Sequence, residues 1–177
     1  MRFNSNIIFN IIGFKITWIS CVMGEVYLNS WLGVLVGSTY LFIFFYFEKN
    51  KFLALKIVLF FSLVGYSFDS IMSYLGLYRL ESSLFFLYLP VWFLVLWPAF
   101  STLFVNTFIF LKKKLLLSIV FGALLGPMSY YVGVTLGLVS VENFYATFLP
   151  ISVFWSLLIL VYSKNFIKFK STLQLWG

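Results

Sequence analysis

The chain has 177 residues, of which 63% are hydrophobic and only 10% are charged, with a formal net charge of +7. A water-soluble domain carries about 25% charged residues, so this composition excludes an ordinary soluble fold. The single cysteine excludes an intrachain disulfide, and the absence of histidine removes the commonest proton carrier and metal ligand at neutral pH. We predict one integral membrane domain spanning residues 1–177, an all-α polytopic helix bundle.

Six apolar stretches follow one another along the chain, each near the length that crosses a bilayer as a helix, about 20 residues. They predict six transmembrane helices at about residues 7–23, 31–47, 53–73, 84–111, 115–138 and 145–163. A basic tail at residues 164–177 follows the last one. It is predicted either to lie along the membrane interface or to fray as a chain terminus.

The first predicted helix carries Lys15 inside its apolar stretch. A lysine within the membrane is a functional candidate. However, helical side chains lean toward the helix N-terminus, so the ammonium group can also snorkel to the interface. Both interpretations stay open, and snorkelling is the simpler one.

The third predicted helix carries Asp69, the strongest candidate for a functional group. Near the outer end of its helix, an acid can bind a proton, a cation or a polar headgroup. It can equally cap the neighbouring loop or pair with Arg79. The sequence does not decide between these roles.

Prolines and aromatic residues in the fourth and fifth predicted helices indicate a cavity. Pro98 and Pro127 are expected to kink these helices at mid-membrane depth. Two bent helices side by side would open a cavity in the outer half of the bundle. The side chains expected to line it are Asp69, Trp92, Trp97, Tyr130 and Tyr131. The alternative is that the aromatic residues only pack or anchor the helices at the interface.

Small residues form a stripe along the fifth predicted helix. At 100° per residue they fall within about 100° of one another, which lets a neighbouring helix approach closely in lipid. We therefore predict that other helices pack on Gly122, Gly126, Gly133 and Gly137.

The basic residues predict the orientation. Six crossings place both termini on one side, and that side would hold all lysines and arginines of the loops except Arg79. Because Lys and Arg are retained in the cytoplasm, both termini are predicted to be cytoplasmic. Topology thus explains the net charge, and nucleic-acid binding is not expected.

Several spaced residues resemble an uncharacterised family of small bacterial inner-membrane proteins, classed as a domain of unknown function. The most specific blocks are Pro90-x-Trp92-x4-Trp97 and Gly126-Pro127-x2-Tyr130-x2-Gly133. The resemblance implies an integral inner-membrane protein with gene neighbours that act on fatty-acyl chains, such as a cyclopropane-type methyltransferase and a flavin oxidoreductase. It supplies no catalytic residue.

The sequence contains no HExxH, GxSxG, P-loop or CxxC motif, and we assign no catalytic residue, cofactor or metal. The leading hypothesis is an accessory or lipid-binding protein, with membrane lipid and an enzyme of fatty-acyl modification as expected partners. Two alternatives stay open. One is a transport component that binds a small solute in the outer half of the bundle, and the other is an intramembrane enzyme that uses Asp69.

Overall fold

In a computed structural model of the chain, residues 5–111 and 114–174 are described. The helices in this part of the chain are α1 (Ser5–Tyr27), α2 (Trp31–Phe47), α3 (Lys51–Tyr74), α4 (Phe93–Ser101), α5 (Leu103–Asn106), a 3₁₀ turn (Phe108–Leu111), α6 (Leu115–Thr135) and α7 (Phe144–Gln174). Three of the basic residues used to predict the orientation lie outside the described residues, namely Arg2, Lys112 and Lys113. Residues 175–177 of the predicted tail lie outside them as well.

The apolar surface identifies this as a membrane protein. Four stretches of the described helices are long and apolar enough to cross a bilayer: Ile7–Tyr27, Lys51–Tyr74, Leu115–Thr135 and Phe144–Lys164. Shorter apolar helices occupy Trp31–Phe47 and Phe93–Asn106. Large side chains such as Leu35, Phe42 and Leu116 are exposed on the outside, whereas Asn10 and Asp69 are buried. Apolar groups facing outward and polar groups facing inward are typical of a bundle solvated by lipid.

One end of the bundle, the hairpin end, is formed by Ser30 and by residues 75–92 and 136–143. It contains two small antiparallel sheets of two strands each. Strand β1 (Arg79–Leu80) pairs with β4 (Val139–Ser140), and β2 (Phe85–Phe86) pairs with β3 (Leu89–Pro90). The Ser30 and Ser83 hydroxyls are 2.9 Å apart. Together with the pairing of β1 and β4, this contact shows that the segments that follow α1, α3 and α6 meet here.

The opposite end, the lysine end, carries Lys49, Lys51, Lys114 and Lys164. The Asn106 amide donates a hydrogen bond to Glu48 Oε2 at 3.2 Å. The Ser163 hydroxyl donates to the Leu111 carbonyl. These contacts hold the end of α2, the 3₁₀ turn and α7 together.

The predicted fourth helix, residues 84–111, is wrong at its start. Residues 84–92 contain the β2–β3 hairpin, and the helix begins only at Phe93. Pro90 has no N–H and disfavours helical geometry at the residue before it. Hydroxyls of α3 satisfy backbone carbonyls of the hairpin, from Tyr66 to Phe86 at 2.9 Å and from Ser73 to Tyr88 at 3.1 Å. The sequence pattern showed only an apolar run, because those hydroxyls lie on another helix.

The rest of that predicted helix is also interrupted. It forms α4, α5 and the 3₁₀ turn, with breaks at Thr102 and Thr107. The Thr102 hydroxyl donates to the Ala99 carbonyl at 2.8 Å and lies 2.6 Å from the Tyr40 hydroxyl. A side chain bonded back to its own helix competes with the regular backbone ladder. Pro98, four residues before Thr102, removes one further backbone donor.

Other boundaries differ by a few residues. α1 extends to Tyr27, and α6 ends at Thr135, three residues before the predicted end. Gly137 therefore lies beyond the helix with φ +72°, where an added Cβ would meet no atom within 4 Å. It forms a turn and does not take part in helix packing. α7 continues to Gln174, so residues 164–174 extend the sixth predicted helix; their place at the interface stays a prediction.

Candidate functional site

A cavity of about 390 Å³ lies inside the bundle. Side chains of α1 and α6 form two of its walls, and side chains of α4, α5 and α7 also line it. α1 packs against α2, α4 and α5, whereas α6 packs against α7, so these two walls belong to different packed groups of helices. Leu125 and Phe110 line the cavity and are each 47% exposed. The cavity therefore opens to the surroundings of the bundle on this side.

Asp69 is buried at the hairpin end of the cavity, with 1% of its surface exposed. Its Oδ1 accepts hydrogen bonds from the Tyr130 hydroxyl at 2.6 Å and the Tyr78 hydroxyl at 2.8 Å. Its Oδ2 accepts one from Trp97 Nε1 at 2.7 Å. No cation contacts this carboxyl group among the described side chains, where the one ion pair joins Arg79 and Glu142. We call Asp69, Tyr78, Trp97 and Tyr130 the Asp69 cluster.

Two indoles and two glycines position this cluster. An added Cβ at Gly65 would lie 2.2 Å from the Trp97 ring, and one at Gly126 would lie 2.1 Å from the Trp155 ring. The two indoles stack on each other with centroids 5.4 Å apart. They fill the space between α3 and α6 only because both helices present a bare backbone. Gly65 and Asp69 are one turn apart on the same face of α3, so the Trp97 ring that packs on Gly65 also reaches the carboxyl group.

Tyr78 comes from the segment that follows α3. It is 1% exposed, and its hydroxyl also lies 3.3 Å from the Asp69 carbonyl. Burial, followed by the neighbouring Asp69 carboxyl, raises the pKa of the Tyr78 phenol well above its ordinary value near 10. The phenol therefore keeps its proton and acts as a hydrogen-bond donor to the carboxyl group.

A second carboxyl group, Glu25, organises the neighbouring part of the hairpin end. Its Oε2 accepts from the Ser30 hydroxyl at 2.6 Å and from Trp92 Nε1 at 3.0 Å. Its Oε1 accepts from the Ser83 backbone N–H at 2.8 Å. Glu25 thus joins the end of α1 to the hairpin segment and to the start of α4, which fixes one rim of the cavity.

Four of the five side chains predicted to line a cavity do line this one, namely Asp69, Trp92, Trp97 and Tyr130. Tyr131 does not. It follows Tyr130 by 100° around α6, so its ring is 53% exposed and lies 6.4 Å from the Phe148 ring.

The predicted packing and kink residues have definite places. Gly122 and Gly126 pack against α7 at Trp155, and a Cβ at Gly133 would lie 2.7 Å from Val139. These three also line the cavity. Pro98 and Pro127 lie inside α4 and α6, and the kink expected at each stays a prediction.

Sequence reasoning missed Tyr78, Glu25 and Trp155 as site residues. Tyr78 and Glu25 lie beyond the ends of the predicted helices, and no spacing in the chain links either one to its partners. It also missed two buried polar atoms on the cavity wall without a hydrogen-bond partner among the described residues, Thr107 Oγ1 and Trp155 Nε1. The Trp155 indole lies next to the Tyr130 hydroxyl but makes no hydrogen bond of ordinary geometry to it.

Residues 7–161, most of the chain, match the family described as Protein of unknown function (DUF2878). The chain belongs to the DUF2878 family. This confirms the expectation of an uncharacterised family with a domain of unknown function. Comparisons with curated proteins and with solved structures found no match.

The chemistry available in this DUF2878 protein is that of an apolar cavity with a few polar groups. No group of three or more His, Cys, Asp or Glu side chains suited to a metal ion occurs among the described residues. The lining is mostly aromatic and aliphatic, from side chains such as Phe14, Trp18, Phe93 and Phe100. Such a lining favours a ligand with a hydrocarbon part that needs few hydrogen bonds.

Proposed function

We propose that this protein crosses the membrane six times and holds the hydrocarbon chain of a membrane lipid in the cavity between α1 and α6. The observation that carries the proposal is an apolar cavity of about 390 Å³ with a wall that opens outward beside Leu125 and Phe110. Specific ligand sites commonly measure about 300–1,000 Å³. An opening on the flank of an apolar bundle admits a ligand from the bilayer without passage through water.

The arrangement of the loops supports six crossings with both termini in the cytoplasm. The segments after α1, α3 and α6 meet at the hairpin end, where β1 pairs with β4. The lysine end holds the turn after α2 and the start of α6. Arg79 is the only lysine or arginine that the described part of the chain places at the hairpin end, and positive charge favours the cytoplasmic side.

The two alternative functions have less support. A small polar solute needs several convergent polar groups, whereas most of this lining is apolar. An intramembrane enzyme using Asp69 needs a second reactive group, but the three side chains that touch its carboxyl group are two phenols and an indole that donate hydrogen bonds. The link to an enzyme of fatty-acyl modification stays a hypothesis that rests on resemblance.

A matched pair of substitutions on α6 tests the proposal. Leu125 lines the cavity, while its neighbour Leu124 is 59% exposed and does not. Leu125→Trp should place an indole in the opening and remove most of the lipid that co-purifies, because bulk is added where the chain would lie. Leu124→Trp adds the same bulk on the lipid-facing surface and should leave bound lipid unchanged.

The measurement is native mass spectrometry of protein purified in a neutral maltoside detergent, with bound lipid counted per protein. If the wild-type protein carries no lipid and binds none on titration, lipid binding is wrong. Equal retention of lipid by the two tryptophan variants would place the lipid elsewhere and would also refute the proposal.

A further inference from the structure

Lys15 is a charged group near the middle of a membrane helix. It lies about 15 Å along the axis from Ser5 at 1.5 Å per residue, within the 23 residues of α1. It is exposed, and it lines the cavity. Its side chain leans toward the helix N-terminus and thus toward the lysine end. The ammonium group therefore meets the cavity between the middle of the bundle and the lysine end.

The described structure provides no carboxylate for this ammonium group. The one ion pair among the described side chains, Arg79 with Glu142, is at the hairpin end. Asp69 lines the same cavity, but its carboxyl group is occupied by two phenols and an indole near that same end. A charge within the hydrocarbon region is costly unless it is paired or reaches the interface, so an anion from outside the chain would stabilise Lys15 where it lines the cavity.

Thr107 offers a second group that lacks a partner. Its side chain is 7% exposed, lines the cavity, and has no hydrogen-bond partner for Oγ1 among the described residues. Its neighbour in the chain, Asn106, reaches Glu48 at the end of α2, which places Thr107 near the lysine end. Lys15 and Thr107 thus give the lining of one cavity an ammonium group and a hydroxyl donor, and both side chains lie on its lysine-end side if Lys15 leans as helical side chains do.

We propose that the lipid held in the cavity has an anionic oxygen head, a carboxylate or a phosphate, which pairs with Lys15 and accepts a hydrogen bond from Thr107. Its hydrocarbon chain runs from there along the stacked indoles of Trp97 and Trp155 toward the Asp69 cluster. This inference rests on the lipid-binding function proposed above. It adds the chemical class of the ligand and the direction in which it lies.

The test is a titration of the purified protein with three ligands that share one chain, namely oleate, oleyl phosphate and oleyl alcohol, followed by native mass spectrometry. At least one anion should bind more tightly than the alcohol, and the stronger of the two identifies the head. Lys15→Met should weaken binding of that anion by about thirtyfold, or about 2 kcal/mol, as expected for loss of one partner of a desolvated charge pair. It should leave the alcohol unaffected.

Three further variants separate charge from packing. Lys15→Arg should keep most of the affinity for the anion, and Thr107→Val should lower it by about tenfold, the value of one hydrogen bond to a charged group. Lys56→Met is the control, because Lys56 lies over the Phe52 ring at 3.9 Å and does not line the cavity. It should change nothing.

Different results overturn the two proposals. If oleyl alcohol binds as tightly as both anions, or Lys15→Met binds like Lys56→Met, the anionic head is wrong. Lipid binding itself still stands in that case, provided that Leu125→Trp abolishes it. If none of the three ligands binds, the anionic head is wrong, and if no lipid co-purifies with the wild-type protein either, lipid binding is wrong as well.

Discussion

Replacing Asp69 tests whether the buried cluster holds the bundle together. Its carboxyl group is the common acceptor for side chains of α4, α6 and the segment after α3. Asp69→Leu removes this acceptor and leaves the Trp97 indole and the Tyr130 phenol without a partner. Tyr78 loses less, because its hydroxyl already lies 3.3 Å from the Asp69 backbone carbonyl and can donate there.

The expected cost follows from those two donors. A buried donor left without an acceptor costs about 1–3 kcal/mol, so Asp69→Leu should lower the free energy of unfolding by about 3 kcal/mol. Asp69→Asn should cost only about 1 kcal/mol. The amide oxygen can face Trp97 Nε1, which can only donate, while the amide nitrogen faces the two phenols, whose hydroxyls rotate and accept.

Cys21 provides the assay. It is the one cysteine of the chain and is 1% exposed, so a thiol-reactive fluorophore labels it only when the protein opens. For a chain of this size, 3 kcal/mol corresponds to a fall of about 6–12 °C in the midpoint of thermal unfolding. Ser67→Leu, on an exposed position of the same helix, is the control and should not lower it. If Asp69→Leu unfolds at the wild-type temperature, or Asp69→Asn loses as much as Asp69→Leu, this account of the cluster is refuted.

Two other predictions concern packing and topology. Gly126→Leu should lower the free energy of unfolding by about 2–3 kcal/mol in the same assay, because an added Cβ would lie 2.1 Å from the Trp155 ring. Leu124→Phe, on the exposed side of α6, should leave the free energy of unfolding unchanged. Equal effects of the two substitutions would show that α6 does not pack on α7 as described. Reporter fusions at the two termini should both be active only in the cytoplasm, whereas a reporter inserted after Ser82 should face the other side; termini on opposite sides would overturn the six-crossing topology.

The helix bundle was predictable because its signals are local. Long apolar stretches with few or no charges predict five of the helices to within a few residues, apart from the extension of α7 to Gln174. In lipid, length and apolar composition suffice to predict a helix, since every backbone group must be satisfied within the segment. The small residues of α6 also predicted a packing face, and Gly122 and Gly126 lie on it because the stripe depends only on helical spacing.

The segment at residues 84–92 was not predictable in the same way. Its residues are as apolar as those of a spanning helix, and the difference lies in Tyr66 and Ser73 of α3, which satisfy its carbonyls. Local composition cannot report a hydrogen bond to a helix some 15 to 20 residues away. Pro90 was a visible signal, because a proline disfavours a helix immediately before it. Within an apolar run, however, a proline is also compatible with a membrane helix, where neighbouring groups satisfy the freed carbonyls.

The candidate site was predictable in its chemistry and incomplete in its geometry. A lone aspartate in an apolar helix must find partners, so Asp69 was an evident candidate. Trp92, Trp97 and Tyr130 were found because they lie near prolines or on the glycine-rich helix. Tyr78 and Trp155 were missed because their positions depend on how α3, α6 and α7 come together.

The cavity lies between two interruptions of regular helix packing, namely the stacked indoles at one end and the helix breaks at the other. Gly65 and Gly126 let two stacked indoles fill the space between α3 and α6, which brings Trp97 to Asp69 at one end. At the other end the breaks at Thr102 and Thr107 divide this part of the chain into α4, α5 and the 3₁₀ turn, and short pieces cover less of a neighbouring helix than one straight helix does. α1 and α6 are thus left facing each other across open space, with Lys15 on the wall. A bundle evolved only for tight packing would close such a gap, since unfilled space forfeits contact energy along its whole lining. The gap, and the cation on its wall that has no carboxylate partner among the described side chains, together support the proposal of an anionic lipid, which would supply the missing contacts.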